Sequence, residues 1–426
     1  MFPVIDILEN ANKSKNIKLI DRICFLIDVK NKIYDSYLDK ELKKGNGVEL
    51  KESSLKTLCI LLKESYSFSG YKVLNSLLKI KTGILKNSPS NFNFPEIISK
   101  FIDVELEKIQ LKQIISDKKL IKVNEWIEKF ENTNDNLNAD LNNDKVNLTF
   151  LNWNKSLGKA YSYSLIKNNF EPLSVIYVED KYSFIQKFTQ FSKRALRNLL
   201  HVYFGNKNLK LINEINIDIF DSKLKLNEIF NRIPNSSKNF KSVKGNDINE
   251  FYIINTLKNA PGDIILFSGG GLIRPKTFQL TAKKFLHIHP GLLPFVRGAD
   301  CFFWSILLYG YPSCSAIFQD EGIDTGGIIH EMSFELPEFD LKSINDLKKT
   351  SNNDKKFYQI IYNSLLEFYD STLRAITLSD ILCKIRTDNI FIENLEFQKQ
   401  KASEGKTFHF MHDELRNKII KLIINR

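Results

Sequence analysis

The sequence predicts an α/β domain over residues 146–336, built on an open and mostly parallel sheet, with helical segments on either side. Two observations carry that prediction. Val146, Leu148 and Phe150 alternate as in a strand, Leu157 to Lys167 has helical texture, and Leu173 to Val178 is again short and apolar. Strand, helix and strand within about 35 residues make a βαβ unit, which requires parallel pairing and a right-handed crossover. The second is the run Asp263-Ile-Ile-Leu-Phe-Ser268, apolar throughout its centre and closed by three glycines. A helical stretch leads into this run, and another short strand follows it at Phe285 to His289.

In chain order, residues 1–130 read as helical, with no motif that carries chemistry. Leu55, Leu58, Cys59 and Leu62 recur at helical spacing behind Ser53 and Ser54, which suit N-caps. Tyr71, Leu74 and Leu78 continue such a stripe after Gly70. Phe94-Pro95-Glu96 opens a third helix bearing Ile98, Phe101, Ile102 and Ile109, since proline suits a first turn. Residues 131–145 are dominated by Asn and Asp and read as a linker. The α/β domain follows, its stretch from about 181 to 245 ambiguous and its next helix expected at Ile248 to Lys258. Residues 337–426 form a mostly helical extension. Its long helix runs from Lys355 to about Leu378, with Tyr358, Ile361, Leu365 and Phe368 as the stripe, and Ile390-Phe-Ile392 reads as one short strand.

The net charge of +11 is spread through a Lys- and Asn-rich chain with no compact basic block, so it does not by itself argue for a nucleic-acid partner. Five scattered cysteines without a CxxC pair fit a reducing compartment and exclude a disulfide framework. Neither a signal peptide nor an apolar run of the roughly 18 residues a membrane span needs is present, so a cytoplasmic protein is expected.

Three segments carry candidate chemistry. Phe267-Ser-Gly-Gly-Gly-Leu-Ile-Arg-Pro275 is a glycine turn at the end of an apolar strand, where bare backbone approaches ligands in open parallel sheets. A tight turn without a ligand has the same sequence. In Phe285-Leu-His-Ile-His-Pro-Gly-Leu-Leu-Pro-Phe-Val-Arg-Gly298 the strand period puts His287 and His289 on one face, and Pro290-Gly291 ends the strand at once. No third ligand at familiar spacing accompanies them, so no metal is expected. Ser315 to Ile329 is a strand, an acidic loop with Asp320, Glu321 and Asp324, and a second strand. That loop is either a solvated turn or a carboxylate brought back to the histidines.

Taken in order, these segments resemble the formyltransferase family that uses 10-formyltetrahydrofolate. The resemblance rests on His289-Pro290, Leu292-Leu293-Pro294, Arg297-Gly298, Trp304-Ser-Ile306 and Asp320-Glu-Gly-Ile-Asp324-Thr-Gly326. It is densest from about 263 to 335. It implies a Rossmann-like sheet, His289 and Asp324 as catalytic residues, Gly269, Gly270, Gly271, Leu272 and Ile273 along the folate pocket, and Arg297 and Gly298 near the substrate. It implies 10-formyltetrahydrofolate as co-substrate and no metal.

Formyl transfer passes through a tetrahedral oxyanion, which needs proton relay and a hydrogen-bond donor. His289 matches the family's catalytic histidine, and Asp324 the aspartate that orients it. The family has Asn where this chain has His287, so His287 is expected as the oxyanion donor, and as a cation if it is protonated. The tail lacks the β-rich pattern of the methionyl-tRNA enzymes, which leaves a nucleotide-linked amino sugar as the expected acceptor. Methionyl-tRNA, hydrolysis of the donor and a non-catalytic relic of the fold are the alternatives. A homo-oligomer is compatible with the sequence. His409 and His412, three apart before a final helix, read as surface or capping residues.

Overall fold

The structure is a computed structural model that describes residues 68–87, 96–113, 118–128, 144–153, 156–179, 215–231, 239–401 and 404–426. The stripe at Leu55–Leu62 and all but the end of the Asn/Asp-rich linker lie outside the described residues. The chain forms two compact units. One comprises residues 1–113, 306–310 and 408–426, and the other residues 114–305 and 311–407.

Within the first unit, α1 (Phe68–Asn87) buries Val73, Leu74, Leu77 and Leu78, and α2 (Glu96–Glu107) buries Ile98 and Ile102. The final helix, Asp413–Ile424, is capped by His412, whose Nδ1 accepts from Glu414 N at 3.3 Å. Because Nδ1 accepts, Nε2 carries the proton, and it meets Thr82 Oγ1 at 2.8 Å. Asn75 holds the entry to this helix through His412 N at 2.7 Å and Phe410 O at 3.3 Å. Burial pushes His412 down to about 4, outweighing the opposing charge of Asp413.

The second unit begins with β1 (Asp144–Asn152), α3 (Ser156–Lys167) and β2 (Phe170–Glu179). It continues with α4 (Leu226–Asn231), β3 (Phe240–Lys244), α5 (Phe251–Lys258), β4 (Ile264–Phe267), α6 (Pro275–Thr281) and β5 (Lys284–His289). Then come β6 (Val296–Gly298), α7 (Cys301–Tyr309), β7 (Ser313–Phe318) and β8 (Gly327–Ser333). Last are α8 (Leu341–Thr350), α9 (Asp354–Ser364), α10 (Ser371–Thr387) and β9 (Lys406–Phe408).

Seven strands form one sheet in the order β3-β2-β1-β4-β5-β7-β8. The first five are parallel, and β7 and β8 are added antiparallel. The chain leaves β1 toward β2 and returns on its other side at β4. The carboxyl ends of β1 and β4 therefore flank a topological switch point, the place where open α/β sheets leave a crevice. Every residue of β4 is buried because both faces are covered. On one face Leu151, Ile265, Phe267 and Phe285 share a core cluster with Ile253 and Leu257 of α5. On the other, Phe150 meets Tyr161 of α3, and α10 packs on α3 and β7.

The tail departs from its expected organisation. The α/β unit does not stop near 336 but runs to Thr407, since α10 covers the sheet. The long helix is present, but it contains a π-helical turn at Leu365–Asp370. That extra residue rotates the stripe, so Tyr369 rather than Phe368 is fully buried. Residues 390–392 are no strand: Phe391 is exposed and Ile392 opens a single 3-10 turn. The strand of this region is β9, which pairs with β6. Among the described residues no helix is long and apolar enough to cross a membrane.

Candidate active site

Neighbouring parallel strands β4 and β5 are in register through Leu266 and Leu286, so their carboxyl ends stop side by side. The glycine turn leaves β4 just where His287 and His289 end β5. Phe267 and His287 rings are 6.1 Å apart, and the two imidazoles 6.4 Å. The acidic loop between β7 and β8 returns to the same rim, and Asp324 Oδ2 comes to 3.5 Å from His289 Nδ1.

Each member of this pair is fixed by backbone. His289 is 1% exposed, and its Nε2 lies 2.9 Å from Val296 O. A carbonyl only accepts, so Nε2 holds a proton and Nδ1 is the atom turned to Asp324. Gly291 makes this contact possible, because a Cβ there would lie 2.8 Å from both His289 Nε2 and Val296 O. Asp324 has φ +53° and accepts from Gly298 N at 2.8 Å. Burial works against its charge, but His289 beside it and the Gly298 N–H outweigh it and hold the carboxyl below the usual range. Gly326 lets the loop close, since a Cβ there would lie 1.9 Å from Phe318 O.

The other two acidic residues stay out of the site. Asp320 Oδ1 accepts from Gly322 N and Thr325 Oγ1 and shapes the loop, while Glu321 is exposed. Arg297 is buried and committed: Nε and Nη2 donate to Gln400 Oε1 at 3.1 and 2.8 Å. Gln400 Nε2 in turn donates to Asp324 O at 3.0 Å and Gly326 O at 2.7 Å. Arg297 thus faces protein partners where a substrate contact was expected. Gln400 had no signal in the sequence, because it sits in a polar stretch without periodicity.

The glycine turn divides in the same way. Gly270 and Gly271 present bare backbone, with nothing within 4 Å of a Cβ at either, and Leu272 is 53% exposed. Gly269 is required by packing against the Phe267 ring, and Ile273 belongs to the core. Asn249 holds the turn, accepting from Arg274 N and Thr277 Oγ1 and donating to Leu272 O.

His287 behaves unlike the donor expected of it. It is 8% exposed, and burial pushes it down to about 3, so it is neutral at pH 7 and the cationic form is absent. A hydrogen bond to the Phe267 backbone engages the ring, and Nδ1 has no partner.

No protein-family model matches the chain. A methionyl-tRNA formyltransferase from Desulforamulus reducens is 30% identical over 118 residues, which are 27% of this chain and 36% of that protein. The chain spans little more than a third of the length of that curated relative. Solved structures it is similar to include a Helicobacter canadensis N-formyltransferase in complex with folinic acid and dTDP-3-aminofucose (14% identity, 65% of this chain and 80% of that one, TM-score 0.32). A Clostridium thermocellum methionyl-tRNA formyltransferase is another (18% identity, 56% and 73%, TM-score 0.28). In the α/β unit the histidine–aspartate pair and the open glycine turn share one strand-end rim.

Proposed function

We propose that this chain transfers a formyl group from 10-formyltetrahydrofolate to an amine, and that the acceptor is the amino group of a nucleotide-linked amino sugar. The observation that carries the transfer is the buried pair His289–Asp324, set at 3.5 Å beside the bare backbone of Gly270 and Gly271. The folate donor lies along the glycine turn, with Leu272 as its apolar contact. The amine attacks the formyl carbon, and His289, oriented from behind by Val296 O, relays the proton from the attacking nitrogen to the departing folate nitrogen. Asp324 stabilises the imidazolium that forms in between. Each group is already positioned before substrate arrives, so little reorganisation opposes the step.

The acceptor is argued from what surrounds the domain. After β8 the described residues hold α8, α9, α10, the three-residue strand β9 and the final helix Asp413–Ile424, a mostly helical extension that fits a small acceptor. The test is tetrahydrofolate production from 10-formyltetrahydrofolate with a panel of nucleotide-linked amino sugars, beside a His289→Ala control. Turnover that depends on one sugar and vanishes in the control supports the proposal. Formate release without any acceptor would make the chain a hydrolase, and failure to bind a folate analogue would sink the enzyme reading.

A further inference from the structure

We propose that Asn249 is the positioning residue of the donor site: it fixes the glycine turn in its ligand-ready shape and so sets the affinity for the folate donor. The inference rests on the proposed function, in which the donor lies along that turn. It adds a residue that lies outside the strand-end rim, in the segment leading into α5.

The turn needs such a residue because it cannot hold itself. Glycine gives up more conformational freedom on ordering than any other residue. Gly270 and Gly271 follow one another, Gly271 at φ +108°, and at neither would a Cβ find an atom within 4 Å. Leu272 beyond them is half exposed, so packing secures it little. The near end of the turn is tied to β1, where Ser268 N donates to Leu151 O and Ser268 Oγ accepts from Trp153 N, both at 3.2 Å. The far end runs into α6. Its N-cap residue Arg274 makes no side-chain cap bond, and its first residue, Pro275, has no N–H.

Asn249 supplies what α6 lacks. Its Oδ1 accepts from Arg274 N at 2.8 Å and from Thr277 Oγ1 at 2.7 Å, and its Nδ2 donates to Leu272 O at 2.9 Å. Thr277 is fully buried, so its hydroxyl depends on this partner. Asn249 is itself held, its backbone N and Nδ2 both donating to Asp247 Oδ1 at 2.9 and 2.6 Å. Asn246 N and Asp247 N in turn donate to Glu250 Oε1, and α5 behind them is anchored in the core by Ile253 and Leu257. A rigid helix entry thus shapes a glycine turn 23 residues further along the chain. A turn that spends only a fraction of its time in the ligand-ready shape binds more weakly by that same fraction. Asn249 therefore acts on donor affinity and leaves the proton relay alone.

The test is calorimetric titration of the full chain with folinic acid as the probe of the donor site. Asn249→Ala should weaken binding by at least about tenfold. Thr277→Val removes one bond that Asn249 accepts and should weaken it by about 2- to 10-fold, whereas Thr277→Ser keeps the hydroxyl and should bind like the parent. The double variant Asn249→Ala/Thr277→Val should bind no worse than Asn249→Ala, because the hydroxyl acts through the amide. In turnover, the donor KM of Asn249→Ala should rise while kcat at saturating donor stays near the parent value. Circular dichroism checks folding, and if Asn249→Ala does not fold the two Thr277 variants decide. Folded Asn249→Ala that binds within about twofold of the parent overturns the inference. Losses that add in the double variant, or Thr277→Ser that binds no better than Thr277→Val, do the same. A parent that does not bind folinic acid removes the donor site and this inference with it. A parent that binds, beside an indifferent Asn249→Ala, removes the inference and leaves the proposed function standing.

Discussion

Gln400 fastens Arg297 to the loop that carries Asp324. One amide does both, its oxygen accepting from the guanidinium and its nitrogen donating to the carbonyls of Asp324 and Gly326. Gln400→Ala leaves a buried guanidinium and two carbonyls short of partners, at a cost of about 1–3 kcal/mol in stability. Gln400→Glu keeps the acceptor for Arg297 but replaces the two donated bonds with repulsion. Chemical denaturation should therefore rank the parent above Gln400→Glu, while turnover falls in both variants, since both loosen the Asp324 loop.

His289→Ala and Asp324→Asn should each lower kcat by about 100-fold or more if the pair relays protons. The double variant should lose little beyond the worse single one, because the two act as a unit. Steady-state kinetics under saturating folate donor reads this directly, and additive losses would show that the residues work separately.

Gly291→Ala tests the backbone side of the same pair. The added methyl lands on the contact between His289 Nε2 and Val296 O. It should reduce kcat at least about tenfold while leaving folate affinity near the parent value, because the glycine turn is untouched.

His412 predicts an acid sensitivity in the other unit. Its folded value of about 4 lies below its ordinary 6.5, so between those limits the unfolded chain binds the proton more readily. Stability therefore falls as pH drops from 6.5 toward 4, by at most about 1.4 kcal/mol per pH unit. His412→Asn keeps an N-cap acceptor and removes the titration. Its denaturation midpoints should show a flatter slope across that window.

Asp370, the buried last residue of the π-helical segment, pairs at 2.5 Å with the largely buried Arg374 one turn further on, on the helix that covers the sheet. Burial raises the Asp370 carboxyl, and Arg374 only partly offsets it. Asp370→Ala strands a buried guanidinium and should cost about 3–5 kcal/mol, whereas replacing both by apolar residues of similar volume should cost far less. Urea melts of the single and double variants separate the two cases.

The parts of the fold that could be read from the sequence are those where one local pattern decides the outcome. β4 and β5 are apolar runs stopped by glycine or proline, and His287 and His289 fall on one face by strand period alone. The helix around Lys355–Leu378 was legible as a helix, but its buried face was not. A π-turn inserts a residue without leaving a mark in composition, and so Tyr369 took the place of Phe368. The fate of Arg297 was illegible for a different reason. Its partner Gln400 lies 103 residues away, in a polar segment that no periodicity sets apart. The acidic loop was half legible: its sequence suits a solvated turn as well as a carboxylate returned to the histidines, and only the β7–β8 turn decides between them by bringing Asp324 to the end of β5.

The place of Gln400 near the end of the α/β unit has a consequence for how the protein is made. On the ribosome the Asp324 loop emerges 76 residues ahead of the amide that ties it down. At common synthesis rates of 5–20 residues per second that interval is about 4–15 s. Through it the Asp324 loop has no amide to tie it down, and a messenger cut short in that window yields a chain with every signature motif and no fastened site.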